Sequence, residues 1–153
     1  MSYVRRVLHP DESVIYATRL HWLVYARPVC LLAAAVVAAG MATHYGAEFR
    51  IGLLAVAGGL LAFAVIDGIA AALRRISTEL AVTDHRVIYK RGIVGRYTVE
   101  MARSKVESVD VVQSLMGRIF NYGTILVRGT GGTLEPFRDV EDPLRLRSAI
   151  IAR

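Results

Sequence analysis

The chain has 153 residues, 54% of them hydrophobic and 21% charged, with a formal net charge of +6, a mean hydropathy of +0.42 and a pI of about 9.9. That length suits one modest domain, and the high hydropathy alongside plentiful charge implies that apolar and charged segments are segregated. A single cysteine, Cys30, excludes an intrachain disulfide and a cysteine-based zinc site, and no helix-turn-helix, zinc-finger or aromatic RNA-binding pattern supports a nucleic-acid partner for the basic charge.

Residues 1–20 form the first segment. Glu12-Ser-Val-Ile-Tyr-Ala-Thr-Arg-Leu20 reads as a strand, expected to join a sheet built from the other end of the chain. Residues 21–75 then carry two apolar runs. Pro28 to Thr43 is about 16 residues, extended by Leu20 to Ala26, and Ile51 to Leu73 is about 23; a span needs about 20. The spans are expected at about 24–43 and 51–73. The short connection His44 to Arg50 makes the two helices antiparallel neighbours. A cleaved signal peptide is rejected, because the first run follows a charged segment and a second run comes soon after. Trp22 and Tyr25 suit one interface, Tyr45 and Phe49 the other. Arg5, Arg6, Arg19 and Arg27 precede the first run, and Arg74 and Arg75 close the second. The positive-inside rule therefore predicts both termini in the cytoplasm.

Three features of this hairpin carry alternatives. Ala55, Gly58, Gly59 and Ala62 give the second helix a small-residue face, for packing within the hairpin or between copies. Asp67 is an intramembrane carboxylate, read either as a partner of Arg27 or as an ion-handling group. Cys30 acts as a small hydrophobe or an acylation site.

After Arg75 the pattern turns to period two. Short strands are predicted around Leu80–Thr83, Val87–Tyr89, Tyr97–Ala102, Val109–Val111, Ile125–Val127 and Leu134–Phe137, separated by Gly, Asn and Asp turns. Asp142-Pro143 is a helix start. In that helix Leu144, Arg147 and Ile151 share one face, and Leu146 and Ile150 an adjacent one. Residues 76–153 thus read as an antiparallel sandwich or partly open barrel with a terminal helix.

Leu8-His-Pro-Asp-Glu12, the two spans, Thr78 to Gly92 with Thr83-Asp-His-Arg-Val87 inside it, Gly117-Arg-Ile-Phe-Asn-Tyr-Gly123, and Phe137 to Pro143 resemble the bacterial pleckstrin-homology (PH)-like membrane proteins of the YdbS-like group. The resemblance covers nearly the whole chain. It implies an α+β bacterial inner-membrane protein. A two-helix transmembrane hairpin would carry a PH-like barrel or sandwich of about seven strands, closed by a C-terminal helix.

No HExxH, GxSxG or P-loop occurs, and the four histidines show no metal-ligand spacing. No catalytic residue, metal or cofactor is expected. The candidate anion or lipid-headgroup set is Lys90, Arg91, Arg96, Arg103, Lys105 and Arg118. The candidate docking stretch, for a protein or the membrane, is Leu115, Met116, Ile119 and Phe120. The leading expectation is a non-enzymatic adaptor presenting a PH-like domain at the cytoplasmic face to a protein partner, possibly as a homo-oligomer. Headgroup sensing through the basic turn, and an accessory subunit using Asp67, are the alternatives.

Overall fold

A computed structural model describes residues 8, 9, 11–92, 95, 97–132 and 134–152. Arg5, Arg6, Pro10 and Arg96, named above, lie outside the described residues. The chain divides into two compact units, residues 22–73 and residues 1–21 with 74–153.

The first unit holds a 3-10 turn at Trp22–Tyr25, helix α1 (Ala26–Met41) and most of helix α2 (Ala47–Ser77). Both are long and apolar enough to cross a membrane by length and composition, counting the 3-10 turn with α1. At 1.5 Å per residue, the 31 residues of α2 extend about 46 Å. Pro28 and Ala35 in α1, Ala42 just beyond it, and Ala57, Ala64 and Ala71 in α2 are buried. Each set repeats every seven residues, which keeps small side chains on one seam of each helix. Ala55, Gly58, Gly59 and Ala62, expected to pack within the hairpin or between copies, are all exposed and take no part in this seam. They sit off the seven-residue register of the seam. Most large apolar side chains of both helices, Val36, Phe49, Ile51 and Ile66 among them, are also exposed.

Among the described residues, the second unit contains seven strands. Strand β1 (Val14–Thr18) pairs antiparallel with β2 (Glu79–Thr83), which pairs with β3 (Arg86–Arg91), which pairs with β4 (Tyr97–Ala102). Strands β5 (Val106–Val112), β6 (Tyr122–Gly129) and β7 (Leu134–Glu141) form a separate antiparallel sheet. Of the two expected alternatives, barrel or sandwich, the two separate sheets give the sandwich and not a closed barrel. A 3-10 turn at Arg103–Lys105 separates β4 from β5, and among the described residues one bridge, Leu20 with Val140, links the two sheets at their other edge. Helix α3 (Leu115–Ile119) forms the tip between β5 and β6, and helix α4 (Pro143–Ile151) ends the unit.

Alternation along each strand builds the core. Leu80 and Val82, Val87 and Tyr89, and Ile125 and Val127 each contribute two side chains from one strand face, and Phe137 and Val140 flank a bulge. The Tyr89 and Phe137 rings lie 4.4 Å apart between centroids. Of the two α4 faces, Leu146 and Ile150 enter this core, whereas Leu144 and Ile151 stay exposed. Asp142 starts α4, its side chain accepting the Arg145 N–H, with Pro143 in the first turn.

Candidate functional site

Two junctions organise the second unit. The first joins its N-terminal segment to the β2–β3 turn. Glu12 is buried, and its Oε1 accepts from the Thr83 hydroxyl (2.6 Å) and Arg86 Nε (2.9 Å). Glu12 Oε2 accepts from Arg86 Nη2 at 2.6 Å and from the His9 N–H. Arg86 Nη1 donates to Glu100 Oε2 on neighbouring β4 at 2.8 Å. One guanidinium therefore clamps two carboxylates, the geometry that favours Arg over Lys. The Arg86 bonds hold the Glu12 carboxyl down to about 2 from the ordinary 4.5, against a burial effect that raises it. Thr83 Oγ1 also accepts the Arg86 N–H, which shapes the turn itself. Beside it, Asp84 accepts the Ser13 N–H and hydroxyl. His9, Asp11, Glu12, His85, Arg86 and Glu100 are among the residues lining an open cleft of about 540 Å³ here.

The second junction is at the opposite end of the strands, where the chain leaves the unit. Arg19 O accepts the Glu141 N–H, the Thr18 hydroxyl donates to Glu141 O, and the His21 N–H donates to Asp139 O at 2.8 Å. Asp139 sits at a bulge in β7 with φ of 56°, a left-handed conformation that Asp tolerates. The returning chain meets the same place, as Arg75 Nε donates to Leu20 O. The His21 ring stacks on Tyr122 at 5.3 Å, and Tyr122 O accepts from Gln113 Nε2, which also donates to Gly117 O in α3. Both chain exits and α3 thus occupy one end of the sandwich.

This end explains the Gly117 to Gly123 stretch. A Cβ on Gly117 would lie 2.6 Å from Tyr122 O, and one on Gly123 would lie 2.9 Å from Val112 O. Asn121 takes a φ of 56° between them. The two glycines let α3 fold back over its own hairpin, and Asn121 makes the turn. Gly117→Ala is expected to displace α3 and lower stability by about 1–3 kcal/mol, the usual cost of overpacking. A thermal melt against wild type measures it.

Among the described residues, the basic candidates do not form one patch. Lys90 and Arg91 end β3 beside Tyr97, whose hydroxyl donates to Glu135 near the start of β7, whereas Arg118 lies exposed in α3 toward the opposite end of that sheet. Arg103 and Lys105 stand in the 3-10 turn at the far end. Arg103 donates to Ala149 O and Ile150 O, closing the C-terminus of α4, and to Asp84 O. Leu115, Met116, Ile119 and Phe120 are all exposed. In the other unit, Asp67 Oδ2 lies 3.5 Å from Arg27 Nε, the carboxylate mostly covered and the guanidinium mostly open.

Sequence reasoning missed the Glu12–Arg86 clasp and the His21–Tyr122 stack. Asp11-Glu12 and Thr83 to Arg86 both stood in the stretches that carried the resemblance, which was the available signal.

A family model described as a bacterial PH domain matches residues 29–153. The match begins inside α1, so β1 and Glu12 precede it. No curated protein and no solved structure matches the chain.

Proposed function

Because the chain belongs to the bacterial PH domain family, matching its model over residues 29–153, we propose that it is a non-enzymatic, membrane-anchored adaptor. Its two apolar helices cross the inner membrane, and its β unit serves a protein partner at the cytoplasmic face.

One observation carries this reading. Strands β1 and β2 are hydrogen-bonded neighbours, yet the whole apolar hairpin lies between them in sequence. The hairpin is an insertion into one sheet. Two crossings return the chain to the side it left, which is what pairing β2 with β1 demands. A single crossing, or three, would separate these strands by a bilayer. Arginine at both exits, Arg19 before and Arg74 with Arg75 after, favours the cytoplasmic side. The exposure of the large apolar side chains on both helices supports lipid as their surroundings, since the core helices of a soluble protein bury theirs.

An adaptor in this arrangement acts by confinement. Held to the membrane plane, the β unit meets other membrane proteins at raised effective concentration, so weak contacts suffice. Lys90 and Arg91 at the end of β3 favour headgroup binding as the second reading.

The test is purification of the tagged full-length protein in mild detergent, with the mass of the intact particle and identification of what accompanies it. A stoichiometric second protein is the expected result. A clean particle carrying lipid alone would overturn the adaptor reading in favour of headgroup binding.

A further inference from the structure

Among the described residues, helix α3 presents the most exposed apolar cluster of the second unit. Leu115 is 77% exposed and Ile119 70%, with Met116, Phe120 and neighbouring Val112 also open. A five-residue helix cannot hide these side chains on its own, and the core has already turned away from them. Its buried member is Gly117, whose missing side chain lets the backbone close onto Tyr122. The helix therefore packs on the unit through its small face, while Leu115, Met116 and Ile119 stay exposed.

Position identifies what meets them. Through Gln113 and Tyr122, α3 is tied to His21, the last residue of the unit before the chain leaves for α1. Arg75, where the chain returns from α2, donates to Leu20 beside it. Arg118 rides in α3 itself, and Arg19, Arg74 and Arg75 stand at the exits. Apolar side chains interleaved with arginine are the composition of a segment that lies in a headgroup layer. The acyl boundary takes the hydrophobes, and anionic phosphates take the guanidinium groups.

Resting on the membrane reading above, we infer that α3 inserts Leu115, Met116 and Ile119 into the same leaflet from which the helices emerge. This third contact, beside the two chain exits, fixes the orientation of the β unit on the bilayer. Two exits alone leave the unit free to tilt about the line joining them. An apolar tip off that line removes the tilt. The occupant is the lipid surface, and a second copy or another protein is the alternative that the experiment must separate.

The experiment uses full-length protein in vesicles of mixed zwitterionic and anionic lipid, in a Cys30→Ser background. A polarity-sensitive fluorophore is placed singly by Ile119→Cys in α3, by Thr130→Cys in the β6–β7 turn at the far end, and by Val56→Cys on α2. Lipids brominated near the glycerol or deep in the chain then serve as quenchers. The Ile119 label should lose most of its emission to shallow bromines, the Thr130 label should lose none, and the Val56 label should be quenched by bromines in the chain region. An unquenched Ile119 label beside a quenched Val56 label overturns the inference while the membrane reading stands. A blue-shifted but unquenched Ile119 label would show that protein, not lipid, covers α3, and also overturns it. Quenching at Thr130 as well as Ile119 overturns it by removing the specificity of α3. An unquenched Val56 label overturns the membrane reading, and this inference with it.

Discussion

Arg86→Ala is expected to destabilise the β unit by about 3–5 kcal/mol, the range for breaking one side of a buried ion pair. The Glu12 side chain is 3% exposed and the Arg86 side chain 21%. Without Arg86, the partners left to the carboxylate among the described residues are the Thr83 hydroxyl and the His9 N–H. The loss should therefore come mostly from a stranded charge. It follows that Glu12→Gln, costly alone, should cost much less in an Arg86→Met background, where no guanidinium is left unpaired. Thermal or chemical unfolding of the four proteins closes this cycle. Additive losses would mean that the two side chains act independently, contrary to the geometry.

The same pair sets an acid limit. Folding lowers the Glu12 pKa to about 2 from 4.5. A group depressed on folding contributes stability in full above its unfolded pKa, and loses it as pH falls toward the folded value. The contribution should be complete above pH about 4.5 and vanish near pH 2. Wild type and Arg86→Ala should therefore converge in melting temperature across that window. A gap of constant size down to pH about 2 would assign the Arg86 effect to packing of its aliphatic stem.

Leu146→Ala is the second large effect. Leu146 has no exposed surface and enters, from α4, the core that both sheets build. Deleting a buried leucine to alanine costs about 2–5 kcal/mol, through lost transfer energy and the cavity left behind. Ile151→Ala on the same helix should fall within about 0.5 kcal/mol of wild type, because its side chain is half exposed. The contrast decides which of the two α4 faces holds the helix to the unit. Equal losses would place the helix differently from the packing described.

The family membership and much of the fold were legible in the residues. Alternation from Leu80 to Thr83 and from Tyr97 to Ala102, and the Asp142-Pro143 start of α4, depend on neighbours a few positions away. Each appears in the structure as a strand or a helix. The N-terminal strand was also readable as one joining the sheet, and the structure makes β2 its neighbour. The site was much less legible. Arg103 looks in sequence like Lys105, one more basic residue near a turn. Only the arrival of the α4 carbonyls, 46 and 47 positions later, makes it a helix clamp.

The sequence by itself determined the segregation of apolar from charged chain, two helices long enough to cross a membrane, a β-rich remainder and a terminal helix. Hydrophobic periodicity is a local property, and these follow from it. Tertiary structure alone decided four things. Glu12 meets Arg86 across 74 positions. The strands form two sheets instead of a closed barrel. The hairpin seam runs through Ala57, Ala64 and Ala71, leaving Gly58 and Gly59 outside it. Helix α3 sits at the end where both exits lie. Each depends on which distant groups meet, which is set by chain closure and by the need to pair every buried charge and carbonyl. No window of neighbouring residues contains that information.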